Sequence, residues 1–299
     1  MRYALTLAAL GLVACGDAQK NTSEFSSAGQ SAYEVMAKLS DDAMLGRQAG
    51  TEGAELAKAY LLDRLAEIKG ANVSQETFTF GEESRPATNL VADFAGNEAG
   101  PLLVVTAHYD HLGRGIGDIY NGADDNASGV GAAIAIAEHF VQNPPINDVR
   151  IVLLDAEERG LAGARHHVDA DATYTQRPVL NLNLDMVSQN ADGEIFASGT
   201  SHNPEIRPLI EGLDTPDVTI RFGHDTPDLG PNDWTLMSDH AAFHEAGHPY
   251  VYFGVEDHAN YHKPSDELET ISPAQYAAFV DALVQVAETL DDNLIQLTD

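Results

Sequence analysis

Three short apolar runs constrain this chain more than anything else in it. Residues 102–105 (LLVV) lead into His108, Tyr109 and Asp110. Residues 150–155 read RIVLLD and continue into Glu157, Glu158, Arg159 and Gly160. Residues 178–184 (PVLNLNL) deliver Asp185. Runs this short, partly β-branched and without strict alternation, are expected of strands covered on both faces. Helical stretches separate them, so the pattern is α/β. In an open α/β sheet the residues just past the carboxyl ends of the strands meet at one edge, however distant in sequence. The polar residues that end these runs are therefore expected to share a site.

The rest of the chain supports that reading. Helices are expected over 31–39, 51–68, 127–140, 161–168, 203–212 and 238–245. In the second of these, Leu56, Tyr60, Leu61, Leu65 and Ile68 are expected to share the buried face. Strands are expected over 73–80, 89–94, 194–197 and 249–253, and a loop over 219–233. Residues 255–268 read as a polar loop. Ser272 and Pro273 resemble an N-cap and first helical residue, opening a last helix over 274–290. No repeat, low-complexity block or composition break divides the chain, so residues 30–299 are read as one domain.

The first 14 residues are read as a targeting segment. Arg2 precedes a mostly apolar stretch too short for the ~20 residues that a membrane-spanning helix requires, but suited to a signal peptide. It ends in Leu12-Val13-Ala14-Cys15, which resembles a bacterial lipobox, and Cys15 is the single cysteine. Residues 1–14 are thus expected to be a lipoprotein signal peptide, with Cys15 lipidated and residues 15–29 a flexible tether. The address that follows is a membrane-anchored protein facing the periplasm or the cell exterior, touching membrane only through its lipid.

Charge excludes one class of partner. Forty-seven acids against 16 Lys and Arg give a formal net charge of −31, which repels a phosphate backbone and argues against nucleic acid. Removal of residues 1–14 takes away Arg2 alone among charged groups, leaving 15 bases and a formal charge of −32.

The polar strand ends have metal-site chemistry. His108, Asp110, the Asp124 and Asp125 turn, Glu157, Glu158, Asp185 and, in the late loop, His262 form a mixed nitrogen and oxygen set. Such a set suits Zn²⁺, with Mn²⁺ or Co²⁺ as substitutes. So many carboxylates in one pocket repel one another and take up protons unless cations lie between them. Asp124 reads as an Asx turn. His139, His166, His167 and His202 read as surface or helix residues, and His258 as a neighbour that competes with His262 for the site.

Five motifs then carry a resemblance: HYD (108–110), GADDNASG (122–129), EExGLxG (157–163), NLDM (183–186) and YHKPSD (261–266). In this order, across residues 102–270, they resemble the M28 family of co-catalytic zinc aminopeptidases. The resemblance implies a three-layer α/β/α domain around a mixed, mostly parallel sheet. It implies two Zn²⁺ per chain, one held by His108, Asp125 and Asp185, the other by Asp125, Glu158 and His262, with Asp125 bridging. Glu157 is implied as the general base, and Asp110 as the partner of the second nitrogen of His108. A cis bond is implied between Asp125 and Asn126.

The stretch from Ser238 to His240 also resembles the family, and Asp239 or His240 is expected to support the pocket, as is His111. Ala164 stands where the family often has Ser. An aromatic hydroxyl opposite the metals is a family feature, yet the region before Ser238 offers only Trp234.

The implied activity is removal of N-terminal residues from peptides with a free amino terminus. Alternatives are a glutaminyl-peptide cyclotransferase or carboxypeptidase of the same fold, or a surface lipoprotein that binds peptide or metal without turnover. A Ser-His-Asp hydrolase is disfavoured by the absence of a G-x-S-x-G elbow.

Overall fold

The structure is a computed structural model and describes residues 25–96, 100–190 and 192–298. Its strands are β1 (Asn72–Phe80), β2 (Arg85–Phe94), β3 (Leu102–His108), β4 (Gly113–Arg114), β5 (Ile119–Tyr120), β6 (Asp148–Leu154), β7 (Val179–Leu184), β8 (Glu194–Ser198), β9 (Thr219–Phe222) and β10 (Tyr250–Gly254). Eight of them form one sheet in the order β1-β2-β6-β3-β7-β10-β8-β9, and β4 pairs with β5 as a separate ribbon. The central strands β6, β3, β7 and β10 run parallel. β1, β2 and β8 join antiparallel, while β9 lies parallel to β8.

The helices are α1 (Ser27–Leu39), α2 (Glu52–Glu67), α3 (Gly129–Gln142), α4 (Ala162–Ala170), α5 (Thr173–Gln176), α6 (Ile206–Glu211), α7 (His240–Glu245) and α8 (Pro273–Thr298). Every residue of β3 and β7 is buried. Successive side chains go to opposite faces: Leu103, Val105 and Ala107 join the core under α1, α2, α3 and α8, whereas Leu102 and Val104 join the one under α4, α5 and α7. The layers are thus helix, sheet and helix, and each fully buried Leu or Val stabilises the fold by about 1.5–3 kcal/mol.

Some boundaries and faces differ from expectation. The signal segment and Cys15 lie outside the described residues. Residues 27–29, expected to belong to a tether, are helical: Ser26 Oγ accepts from Gly29 N (2.9 Å) and α1 starts at Ser27. On α2 the buried residues are Gly53, Ala54, Ala57, Leu61 and Leu65, while Leu56 is 40% exposed. Close packing favours the small side chains there, so the larger Leu56 is turned outward. β9 occupies part of the expected 219–233 loop. Its burial pattern is that of an edge strand, alternating exposed and half-buried, which leaves little apolar signal. His167, expected as a surface or helix residue, lies on α4 and is fully buried between Glu76 (Nδ1 to Oε2, 2.7 Å) and the Tyr174 hydroxyl.

Candidate metal centre

The carboxyl ends of the parallel strands gather the predicted residues. His108 ends β3, Asp155 and Glu157 follow β6, Asp185 follows β7, and the turn carrying Asp125 leads into α3. His262 comes from the long loop between β10 and α8. Backbone conformation around these positions is unusual. Ala156, Met186 and His262 all have positive φ, at 60°, 57° and 54°. Non-glycine residues seldom adopt it, and where they do the surrounding structure holds them there. The Asp125–Asn126 bond is cis, as implied.

The Asp125 turn is fixed from several sides. Asn126 Oδ1 accepts from Gly129 N (2.9 Å) and Met186 N (3.2 Å), while its Nδ2 donates to Leu184 O (2.9 Å). These bonds tie the turn to the end of β7, beside Asp185. Asp266, the last residue of the YHKPSD motif, accepts from the backbone N–H of both Asp124 and Asp125 (3.0 Å each). Gly122 stands at φ 54°, where a Cβ would lie 2.0 Å from Asp125 O. No other residue fits.

Two donor groups result. His108 Nε2 lies 3.2 Å from Asp185 Oδ1 and 3.6 Å from Asp125 Oδ1. His262 Nε2 lies 3.1 Å from Asp125 Oδ2 and 3.7 Å from Glu158 Oε1. The two oxygens of Asp125 therefore face different histidines. Donor atoms of His108, Glu157 and Asp185 fall within 4.8 Å of one another, as do those of His111, Asp125 and Glu158.

This donor set fits metal. His108 Nδ1 donates to Asp110 O (3.2 Å), so a neutral ring would turn a lone pair at Nε2 toward two carboxylate oxygens. A cation between them removes that repulsion. Without one the acids compete for protons. Burial raises the carboxyl pKa of Glu157 well above the ordinary range, raises that of Glu158, and pushes Asp239 up to about 7. Burial opposes a proton on His108, but Asp185, Glu157 and Asp125 outweigh it and raise its pKa. Asp185 moves the other way: His108 overcomes the effect of burial and lowers it.

The remaining predicted residues fall into distinct places. Asp110 was expected to meet the second nitrogen of His108 through its carboxylate. Its backbone carbonyl makes that bond instead; Oδ1 is 3.8 Å from Nδ1 and accepts from Glu157 N (2.9 Å). One carboxylate oxygen thus orients the Glu157 loop, while Oδ2 has no hydrogen-bond partner among the described residues. Asp124 is buried and structural, accepting from Ser188 N (2.8 Å), the Ser188 hydroxyl (2.6 Å) and His258 Nε2 (3.0 Å). This bond accounts for His258, which does not reach the donor groups through it. His240 stacks on Tyr250 and Tyr252 and bonds Trp234 O (2.9 Å). Asp239 is buried, and neither carboxylate oxygen has a hydrogen-bond partner among the described residues. His111 is buried with Nδ1 3.0 Å from Glu158 Oε1.

Four contributors were not singled out from sequence. Ser238 Oγ donates to Asp185 Oδ2 (2.7 Å). Asp266 holds the Asp125 backbone, as described above. Arg47, fully buried, donates to the carbonyls of Leu39, Tyr109, Asn121 and Gly122. Tyr261 stacks on His262 (3.9 Å between centroids), and its hydroxyl makes no hydrogen bond among the described residues. Burial, then the nearby Asp125 and Asp185, raise its pKa. Tyr261 thus places an aromatic hydroxyl beside His262, within the YHKPSD motif.

Comparison with known proteins agrees with this geometry. The sequence pattern of peptidase family M28 matches residues 89–287. Aminopeptidase YwaD of Bacillus subtilis is 30% identical over 178 residues, covering 57% of this chain and 37% of that protein. The chain spans half or less of the length of the first curated relatives it matches. A zinc aminopeptidase structure from Bacillus subtilis superposes with a TM-score of 0.70 at 17% identity, over 86% of this chain and 94% of that one. A glutaminyl cyclase from Bacteroides thetaiotaomicron, bound to N-acetylhistamine, superposes equally well (0.70, 19% identity, 87% and 97% coverage). At these identities the superpositions establish the fold.

Proposed function

The chain belongs to peptidase family M28, and from that premise we propose that it is an aminopeptidase working with two zinc ions. The observation that carries this reading is Asp125, whose Oδ1 faces His108 (3.6 Å) and whose Oδ2 faces His262 (3.1 Å). A carboxylate so placed serves two ions at once. His108 and Asp185 would complete one site, and Glu158 and His262 the other. When bound, the ions supply Lewis-acid polarisation of the scissile carbonyl and lower the pKa of water.

Glu157 supplies the proton chemistry. It takes a proton from the attacking water and returns it to the amine as the C–N bond breaks. Its loop is held for that task by the bond from Glu157 N to Asp110 Oδ1. The Tyr261 hydroxyl, with no hydrogen-bond partner of its own among the described residues, donates to the oxygen that becomes negative in the tetrahedral intermediate. By this reading the substrate is a peptide with a free amino terminus, and the native metal is zinc.

The test is turnover of aminoacyl-anilides by wild type and Glu157→Gln, each with its metal content measured. Loss of an acid–base group costs about 10²–10⁴ in rate, so the variant should be nearly inactive while keeping its metal. An active Glu157→Gln would sink the mechanism. The glutaminyl cyclase fold match favours one rival, which would announce itself as one ion per chain and cyclisation of N-terminal glutamine. Release from the carboxyl end would indicate a carboxypeptidase. Intact metal with no turnover on any peptide would indicate a binding protein.

We also propose that residues 1–14 are removed and that a lipid on Cys15 anchors the protein outside the cytoplasm. Among the described residues no helix is long and apolar enough to cross a membrane. A Cys15→Ser chain that still partitions with membranes would refute the anchor.

A further inference from the structure

We propose that His111 is an additional protein ligand of the second ion, binding through Nδ1. The inference rests on the two-ion reading and adds to it a residue outside the implied ligand set.

His111 follows β3, and its backbone N–H donates to Arg47 O (3.3 Å). The imidazole is fully buried against Gly122, where a Cβ would lie 2.5 Å from its Cδ2; only glycine leaves room for the ring. Its Nδ1 lies 3.0 Å from Glu158 Oε1 and 3.7 Å from Asp125 Oδ2. His262 addresses the same two oxygens, at 3.7 Å and 3.1 Å, with its ring centroid 6.1 Å from that of His111. Both imidazoles thus address the same two carboxylate oxygens, and the donor atoms of His111, Asp125 and Glu158 lie within 4.8 Å of one another. A tetrahedral zinc with bonds of about 2.0–2.2 Å separates its ligand atoms by about 3.3–3.6 Å. The four nitrogen–oxygen distances bracket that range.

A simple hydrogen bond from His111 to Glu158 accounts for one of these distances. It does not account for the approach to Asp125, nor for the matching approach of His262. The Nε2 of His111 has no hydrogen-bond partner among the described residues, so all of the ring's polar contacts are made through Nδ1.

The consequence is an asymmetric centre. The second ion has four protein ligands, His111, His262, Asp125 and Glu158, the count of a closed site. The first has His108, Asp185 and the shared Asp125, the count that leaves a position open. Reaction chemistry therefore centres on the first ion, while the second anchors the site.

The two roles of His111 demand different tautomers. A ligand at Nδ1 carries its proton on Nε2; a donor to Glu158 carries it on Nδ1. The full chain, labelled with ¹⁵N-histidine and loaded with ¹¹³Cd, distinguishes them by long-range ¹H–¹⁵N spectra. Three of the 12 histidines should show coupling to cadmium, His111 among them through Nδ1. Two coupled histidines, with His111 protonated at Nδ1, would overturn the proposal while leaving the two-ion reading intact. No cadmium coupling at all would overturn the two-ion reading itself. His111→Asn assigns the signal and adds an affinity readout. Loss of an outer partner costs about 10–100-fold in metal affinity; loss of a ligand should exceed ~100-fold for one ion only. If that variant does not fold, the wild-type coupling pattern still decides.

Discussion

Replacing Arg47 with methionine should cost more stability than almost any other single change outside the core, and chiefly in the metal-free protein. Its Nε donates to Tyr109 O (2.8 Å), its Nη1 to Leu39 O (2.7 Å) and Asn121 O (2.5 Å), and its Nη2 to Gly122 O (3.0 Å). Three of those carbonyls belong to the segments that carry Asp110 and lead into Asp125, and the fourth, Leu39 O, ends α1. Hydrogen bonds to a charged group contribute about 1.5–3 kcal/mol each, or ~6–12 kcal/mol for four before desolvation. Burying the guanidinium takes back several kcal/mol. That cost lowers its pKa to about 10, which still leaves it charged at neutral pH. The net expectation is a loss of about 3–5 kcal/mol, as when one member of a buried ionic cluster is removed. Methionine fills much of the stem but satisfies none of the carbonyls. It also removes a cation that interacts with Asp125, Asp266, Asp110 and Glu158, leaving a more negative pocket. Metal should bind the folded variant more tightly and recover part of the loss. Urea unfolding of chelator-treated and zinc-loaded protein measures both quantities. Equal losses below ~1 kcal/mol in the two states would refute the reasoning.

Two further predictions follow from single contacts. Tyr261→Phe should lower kcat by about 10²–10³ with little change in KM, as for other lost oxyanion donors; steady-state kinetics at constant metal content checks this, and an unchanged kcat would remove Tyr261 from the reaction. Asp171 sits beside Arg150, and although burial opposes ionisation, bonds from Thr173 and Arg150 lower its pKa from 3.8 to about 2. A depressed carboxyl pKa stabilises the fold above the unfolded value and stops doing so as pH falls through the folded one. Asp171→Asn should therefore cost about 1 kcal/mol at neutral pH, after allowance for solvent screening, and the gap to wild type should close between about pH 4 and 2. A gap that stays constant across that window would show that ionisation of Asp171 contributes nothing.

Much of this was legible because buried parallel strands have a loud signature. β3, β6 and β7 read as apolar runs, and the rule that their carboxyl ends converge was enough to assemble His108, Glu157, Glu158 and Asp185. Other features have no comparable pattern. β9 is an edge strand with few buried side chains, so it read as loop. On α2 the buried face is built from Gly53, Ala54 and Ala57 beside Leu61 and Leu65, and alanine carries too little hydrophobic contrast to point the face away from Leu56. α8 continues to Thr298 because Asp291 and Leu294 are buried as well, an extension in which polar residues outnumber apolar ones. Arg47 lies more than 60 residues before the end of β3 that it supports. Its role depends on four backbone carbonyls, and backbone atoms leave no mark in a sequence.

Side-chain direction limited the reading of the site more than residue type did. Asp110 has the right chemistry for a partner of His108 and stands two residues away. Yet the chain turns so that its carbonyl meets the imidazole while its carboxylate reaches Glu157 N. His111, one residue further, points its Nδ1 at Glu158 and Asp125, although proximity alone suggested a pocket wall. The same economy appears at Asp266, whose two oxygens each receive a backbone N–H, one from Asp124 and one from Asp125. The acids in this pocket therefore include some that accept from backbone donors and others that face imidazole nitrogens. Asp110, through Oδ1, and Asp266, through both oxygens, belong to the first group, and Asp125, Asp185 and Glu158 to the second. Only the second group presents oxygens to His108 Nε2, His111 Nδ1 and His262 Nε2, at 3.0–3.7 Å. That division, set by where the backbone N–H groups and the imidazoles lie, separates the proposed ligands from their supports in a chain where acidity alone separates nothing.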